Sequence, residues 1–289
     1  MIFPLGWIDG DIRPVAALTV SALDRTLLYG LGAFETVRLH GGRPFLFDRH
    51  LARLRRSLAS VGLAAPDALA RLPAGVPALA AAAEAPSALC RVTVTAGAAA
   101  ADGAVPGTGM RVIVQLRSVP APSRGPVAVG VAPFAHDSRS PLAGVKSTSY
   151  LSHYLQRDEA ESAGRLDDLM VDTDGNVTEG TVSNAFAVRG GELLTPPVSA
   201  GILPGVTRGV VLELAAELGI PVRETPLPVE ALARVEEFFL TGAGKCLVGV
   251  DEVAGHRLPV ERPVTRRLRA ALIARIAATC GVSEASICI

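Results

Sequence analysis

Apolar and polar residues alternate with a period of two at residues 34–39, 89–95 and 110–116, the pattern of strands with one covered face. Gly41-Gly42 supplies a hairpin turn after the first run, and residues 44–47 pair back. The period then changes: Phe47, Leu51, Leu54, Leu58 and Val61 fall at spacings of 4, 3, 4 and 3, one apolar stripe on a helix that Asp48 caps, with Arg53 beside the stripe. Residues 16–20 read as a short strand. Residues 24–32 are rich in turn formers, and the alanine-rich stretch 66–85 reads as helix broken by Pro73 and Pro77. Residues 96–109 read as a flexible loop.

In the second half, 127–132, 169–172, 176–178, 185–188, 192–194 and 237–241 read as strands. Asp174-Gly175 and Gly190-Gly191 mark two hairpins. Helices are expected over 149–163, 206–218 and 264–278. The stretch 117–126 holds three prolines in ten residues and reads as a linker. The expected organisation is therefore a small N-terminal α+β domain, 1–118, an interdomain linker, 119–126, and a large C-terminal domain, 127–289.

Composition narrows the class. A chain of 289 residues that is 49% apolar and 19% charged is neither disordered nor too short for a large core. Net charge is +0, so nothing in the total favours nucleic acid or an anionic membrane. No apolar run reaches the roughly 18 residues of a membrane span. The start has no basic segment ahead of an apolar one, and the four cysteines show no paired spacing, so a cytoplasmic chain with free thiols is expected. The five histidines form no ligand-spaced pair, and no metal is expected.

Charge becomes informative where it is rare. Only two lysines, Lys146 and Lys245, stand against 26 arginines. Lys146 opens the segment VKSTSYL, and Glu179 lies in VTEGTVSNAF, 33 residues on. An aldehyde cofactor needs one amine for an imine and one carboxylate to keep its ring nitrogen protonated. GILPGVTR, residues 201–208, opens a helix whose first amides at Val206 and Thr207 lack partners, a phosphate site. TGAGK, at 241–245, is a second turn rich in amides, and Arg53 is a permanent cation suited to a phosphate.

These blocks resemble, in order and over nearly the whole chain, those of the class IV aminotransferases, the fold-type IV pyridoxal-phosphate family. DRTLLYGLGAFETVR and HLARL resemble its N-terminal blocks, and VKSTSYL, VTEGTVSNAF, GILPGVTR and FFLTGAGK its later ones. The resemblance implies a two-domain α+β / α/β fold like that of D-amino acid aminotransferase, with the active site between the domains. It implies a homodimer, each site completed by the partner's N-terminal segment, with residues 25–32 or a nearby loop as donor. Pyridoxal 5′-phosphate is then the cofactor. Lys146 carries it as an aldimine and moves the substrate proton. Glu179 meets its ring nitrogen, Tyr150 its 3′-oxygen and Leu203 its ring face. Arg53, Val206, Thr207, Thr241, Gly242 and Ala243 bind its phosphate. The family's serine or threonine in the last turn is replaced here by Gly242 or Ala243, which leaves amides. Tyr150 follows Lys146 by four residues, where some members have one more.

The reaction is less fixed. Thr95-Ala96-Gly97 stands where better-known D-amino acid transaminases carry an Arg-x-His pair. Arg91, Lys245 and Arg25 are candidates for the substrate carboxylate instead, and Thr36 resembles a threonine of aminodeoxychorismate lyases. The reading is a transaminase moving an amino group from a small amino acid, D-amino acid transaminase-like, to a 2-oxo acid such as 2-oxoglutarate. The alternative is 4-amino-4-deoxychorismate lyase, which eliminates pyruvate to give 4-aminobenzoate. Branched-chain and (R)-amine transaminases rank behind both.

Overall fold

The structure is a computed structural model that describes residues 1–99, 109–121 and 125–287. Most of the loop expected at 96–109 and the middle of the linker expected at 119–126 lie outside the described residues. The chain forms two compact units. The first comprises Met1–Pro120, Val145–Tyr150 and Ile276–Ile287, and the second Ala121–Gly144 and Leu151–Arg275. The segment carrying Lys146 thus belongs to the first unit, although it follows the linker in sequence.

The first unit is built on β1 (Ile2–Ile8), β2 (Asp11–Pro14), α1 (Arg25–Tyr29), β3 (Gly32–His40), β4 (Arg43–Pro44), α2 (Phe47–Ser60), α3 (Leu72–Ala82), β5 (Ser87–Thr95) and β6 (Val112–Arg117). Its strands make one antiparallel sheet in the order β2-β1-β6-β5-β3-β4. Alternation along β3 sends Val37 and Leu39 to the face that also carries Val92, Val94, Val114 and Leu116, and there Leu51, Leu54 and Leu58 of α2 pack. Leu54 and Leu58 are wholly buried, each contributing about 2 kcal/mol from apolar area. Leu72, Val76 and Leu79 of α3 join the same core.

Three local expectations change. Residues 16–20 are no strand: Pro14, with its fixed φ of −55°, leads into a single 3-10 turn at Val15–Ala17. The first two strands were missed, because Pro4 and Gly6 interrupt β1, and the pairing register shifts between Ile2 and Gly6. Asp9-Gly10 joins Ile8 to Asp11 as a two-residue hairpin with positive φ at both positions, so the Asp-Gly pair was the available cue. In α3, Pro73 sits in the first turn while Pro77 lies inside the helix, where its missing N–H leaves one carbonyl without a donor.

The second unit carries β7 (Ala128–Val131), α4 (Leu151–Ser162), β8 (Asp167–Val171), β9 (Asn176–Gly180), β10 (Asn184–Arg189), β11 (Glu192–Thr195), α5 (Val206–Glu217), β12 (Val222–Glu224), β13 (Leu227–Pro228), β14 (Glu237–Gly242), β15 (Cys246–Gly249), β16 (Glu252–Val253) and β17 (His256–Arg257). A last helix, α6 (Pro263–Cys280), follows. Two sheets form, in the orders β13-β9-β8-β7-β16-β17 and β12-β11-β10-β14-β15. Strands β9 and β10 are consecutive in the chain but lie in different sheets, so residues 181–183 switch the chain from one sheet to the other. Leu169, Val177, Ala187, Phe238, Leu240 and Val250 make the core of this unit.

Candidate functional site

In the first unit, the lysine segment is stitched to the start of β3. Phe34 N donates to the Lys146 carbonyl at 3.0 Å, Thr148 N donates to Gly32 O at 3.0 Å, and Ala33 bridges to Ser147. Lys146 N donates to Ser57 Oγ of α2 at 3.2 Å. The backbone of the lysine is therefore fixed from two sides while its side chain stays partly exposed. The ammonium lies 4.6 Å from the centre of the Phe34 ring and 5.9 Å from that of Tyr150. Tyr150 meets Phe34 edge-on, centroids 5.2 Å apart. Arg91 places its guanidinium carbon 3.7 Å from the same Phe34 centroid. Thr36 stands opposite Arg91 in the β3–β5 register, on the face that carries Phe34. Lys146, Tyr150 and Arg91 thus gather around one aromatic ring, Phe34, with Thr36 on the same face of the sheet.

Arg53 and Arg25 have other company. Glu35, next to Phe34, alternates to the helix-covered face. Arg53 donates to it through Nε at 2.7 Å and NH2 at 2.8 Å, a two-pronged pair, and His50 Nδ1 lies 2.8 Å from it. Burial alone would raise the Glu35 pKa, but the hydrogen bonds and charges of Arg53 and His50 outweigh it and hold the carboxyl at about 2. The pKa of His50 is lowered, first by its own burial, so it donates to Glu35 as a neutral ring. Arg25 donates to the carbonyls of Gly97 and Ala96 at 3.2 and 3.0 Å, pinning α1 to the end of β5 rather than standing clear as a substrate cation.

In the second unit, Glu179 at the end of β9 accepts from Asn184 Nδ2 at 3.2 Å and Leu203 N at 3.1 Å, two neutral donors. The Asn184 amide also donates to Leu203 O at 2.9 Å. Helix α5 begins at Val206, and its N-cap residue Gly205 has no side chain to cap it, so the Val206 and Thr207 amides receive no side-chain cap. Any Cβ on Gly205 would strike Asn184 Oδ1, which explains glycine there. Asn184 pairs with Thr241 in the β10–β14 register, bringing Glu179's partner beside the turn of residues 241–243. The Thr241 hydroxyl is fully buried and without a partner among the described residues. Lys245, expected as a substrate cation, instead donates to Leu166 O at 3.0 Å and Asp167 Oδ2 at 3.3 Å. Asn184, Glu35 and Phe34 escaped the sequence reading, since nothing in local spacing marks them.

A phosphate needs donors that the fold leaves unsatisfied, and the uncapped helix start with the orphaned Thr241 hydroxyl meets that need. A lysine whose backbone is fixed from two sides and a carboxylate that accepts from Asn184 and Leu203 could serve the other needs of pyridoxal phosphate, and the two units carry the fold of a fold-type IV pyridoxal-phosphate enzyme. The family Amino-transferase class IV matches residues 32–253, and the chain belongs to it. A Methanocaldococcus jannaschii protein named as a branched-chain-amino-acid aminotransferase is 34% identical over 86% of this chain and 88% of its own length. The D-alanine aminotransferase of Bacillus licheniformis is 27% identical over 91% of this chain and 94% of its own. The solved 4-amino-4-deoxychorismate lyase of Pseudomonas aeruginosa superposes with a TM-score of 0.79 at 30% identity, covering 93% of this chain and 98% of that one. Among the described residues, no helix is long and apolar enough to cross a membrane.

Proposed function

We propose that this aminotransferase moves the amino group of a small D-amino acid to a 2-oxo acid such as 2-oxoglutarate. The observation that carries the reading is the shared Phe34 ring: the Lys146 ammonium at 4.6 Å and the Arg91 guanidinium at 3.7 Å. A substrate whose carboxylate meets Arg91 brings its Cα toward the amine that must move its proton. Val206, Thr207, Thr241, Gly242 and Ala243 would hold the cofactor's phosphate, with Arg53 adding its positive charge from within its pair with Glu35, and Leu203 and Tyr150 would hold its ring. When bound, pyridoxal phosphate supplies the electron sink for a carbanion at the substrate Cα. Glu179 would keep a proton on the ring nitrogen, and Lys146 Nζ would carry the Cα proton. The D-alanine aminotransferase relative, matched over almost its full length, supports a D-amino donor.

A second reading, the lyase, is favoured by Thr36 on the Phe34 face and by the Pseudomonas aeruginosa relative. The branched-chain relative motivates a third substrate class. Purified enzyme with 2-oxoglutarate, given D-alanine, D-glutamate or L-valine in parallel, separates the transaminase readings by 2-oxo acid formation. Aminodeoxychorismate tests for 4-aminobenzoate. Robust 4-aminobenzoate with no oxo acid from any donor overturns the proposal, and turnover confined to L-valine overturns its D-amino part. Lys146→Ala is expected to lower turnover by at least about 10³-fold and to remove the cofactor's visible band.

We also infer a homodimer. Its support is α1, where Leu27, Leu28 and Tyr29 are 65%, 52% and 73% exposed, a cost that burial against a second copy would offset. Light scattering that gives a monomer mass at micromolar concentration overturns it.

A further inference from the structure

Asp167 is completely buried at the start of β8, and its two oxygens take five hydrogen bonds. Oδ1 accepts from Asp168 N at 3.0 Å, Thr181 N at 3.0 Å and Thr181 Oγ1 at 2.6 Å. Oδ2 accepts from Ser183 Oγ at 2.7 Å and from Lys245 Nζ at 3.3 Å. Burial lowers the Lys245 pKa, and the Asp167 charge works against that shift. Thr181 and Ser183 flank the sheet-switching loop, with Glu179 just before it and Asn184 just after. Gly180 closes the same loop, donating to Ser183 O at 2.6 Å. Lys245 belongs to the turn between β14 and β15, which begins at Ala243 directly after Thr241 and Gly242 of β14. One carboxylate therefore grips both the loop that aims Glu179 and Asn184 and the turn that offers Thr241 and its neighbouring amides.

We propose that Asp167, completed by Lys245, is the positioning group that keeps the Glu179–Asn184 pair in register with the 241–243 turn. The inference rests on the reading of Glu179 as the partner of the cofactor's ring nitrogen. It assigns Lys245 to the scaffold of the site and leaves substrate recognition to Arg91. The physical ground is that a hydrogen bond aimed at one ring atom tolerates little displacement, so the side chain making it needs its own supports. An Asp at this position can hold three different donors of the loop while its charge anchors an ammonium from another strand; a neutral amide cannot do both.

The test uses the holoenzyme and three variants. Asp167→Asn keeps the shape and loses the charge. Thr181→Val removes one loop donor at nearly constant volume and stands in if the first variant fails to fold. Glu179→Gln is the control for the cofactor reading. Expected for Asp167→Asn are cofactor affinity weakened by about tenfold and a shift of about one pH unit in the titration of the bound cofactor's visible band. For Thr181→Val the same changes are expected at smaller size. A merely structural Asp167 would lower thermal stability and leave both cofactor readouts unmoved, and that result overturns the proposal. If Glu179→Gln shifts the band and neither of the other variants does, this inference fails and the reading of Glu179 stands. If Glu179→Gln leaves the band unmoved, the reading of Glu179 fails, and the inference with it.

Discussion

Two buried glutamates carry opposite assignments. Glu35 in the first unit is surrounded by cationic and ring donors, Arg53 twice and His50 once, and its charge is largely spent within the fold. Glu179 in the second unit accepts from the side-chain amide of Asn184 and the backbone of Leu203, both neutral. The donors differ in kind: those of Glu35 tie a helix to a sheet, and those of Glu179 tie the end of β9 to Asn184 and to the chain before α5. On the proposed function, the second glutamate is the one that meets a cationic N–H of the cofactor.

The sharpest way to break this comparison is to neutralise each in turn. Glu179→Gln is expected to lower turnover by about 10²–10³-fold, while the apoprotein unfolds within about 1 kcal/mol of the wild type, because a Gln carbonyl still accepts from Asn184 and Leu203. Steady-state kinetics beside urea denaturation checks both halves. Glu35→Gln should do the reverse in stability. It leaves Arg53 buried with half of a pair, at a cost of about 3–5 kcal/mol in urea denaturation of the apoprotein.

Acid should find the same glutamate. The folded pKa of Glu35 is about 2, against an ordinary 4.5, so its stabilisation is present above pH 4.5 and is lost as pH falls from there toward 2, amounting to about 3 kcal/mol. His40, held at about 4 by burial and then by Arg38, and His50, lowered by burial, act in the same direction from pH 6.5 downward. Unfolding free energy measured at pH 7, 5 and 3 should fall at each step. A Glu35→Gln protein should lose less between pH 5 and 3 than the wild type.

The smallest effect is expected at Thr241. Thr241→Val removes a hydroxyl that has no partner among the described residues, so the apoprotein should gain up to about 1 kcal/mol. On the proposed function the lost hydroxyl is a phosphate donor, and cofactor affinity should then fall by about tenfold. Calorimetry and cofactor titration on the same sample would expose the opposite signs.

Local rules made much of this readable in advance. The period-2 runs became β3, β5 and β6, and the 4-3-4-3 stripe became α2, because each pattern reports which face a regular element buries. The helix start at Gly205 was legible because glycine after proline ends one conformation and leaves the next amides without acceptors. The lysine stood out through its rarity. What failed locally had a local cause: Pro4 and Gly6 hid β1, and Pro14 turned an expected strand into a 3-10 turn.

The sequence by itself determined the family, the order of its blocks and the presence of one lysine and one glutamate suited to the cofactor's chemistry. Only the tertiary structure decided which neighbours each candidate charge meets. Arg25 and Lys245 look alike in sequence as candidate cations, yet one is tied to backbone carbonyls and the other to Asp167, whereas Arg91 lies on the ring beside Lys146. Those neighbours come from distant parts of the chain, 71 residues away for Arg25 and 78 for Lys245, and no local pattern encodes them.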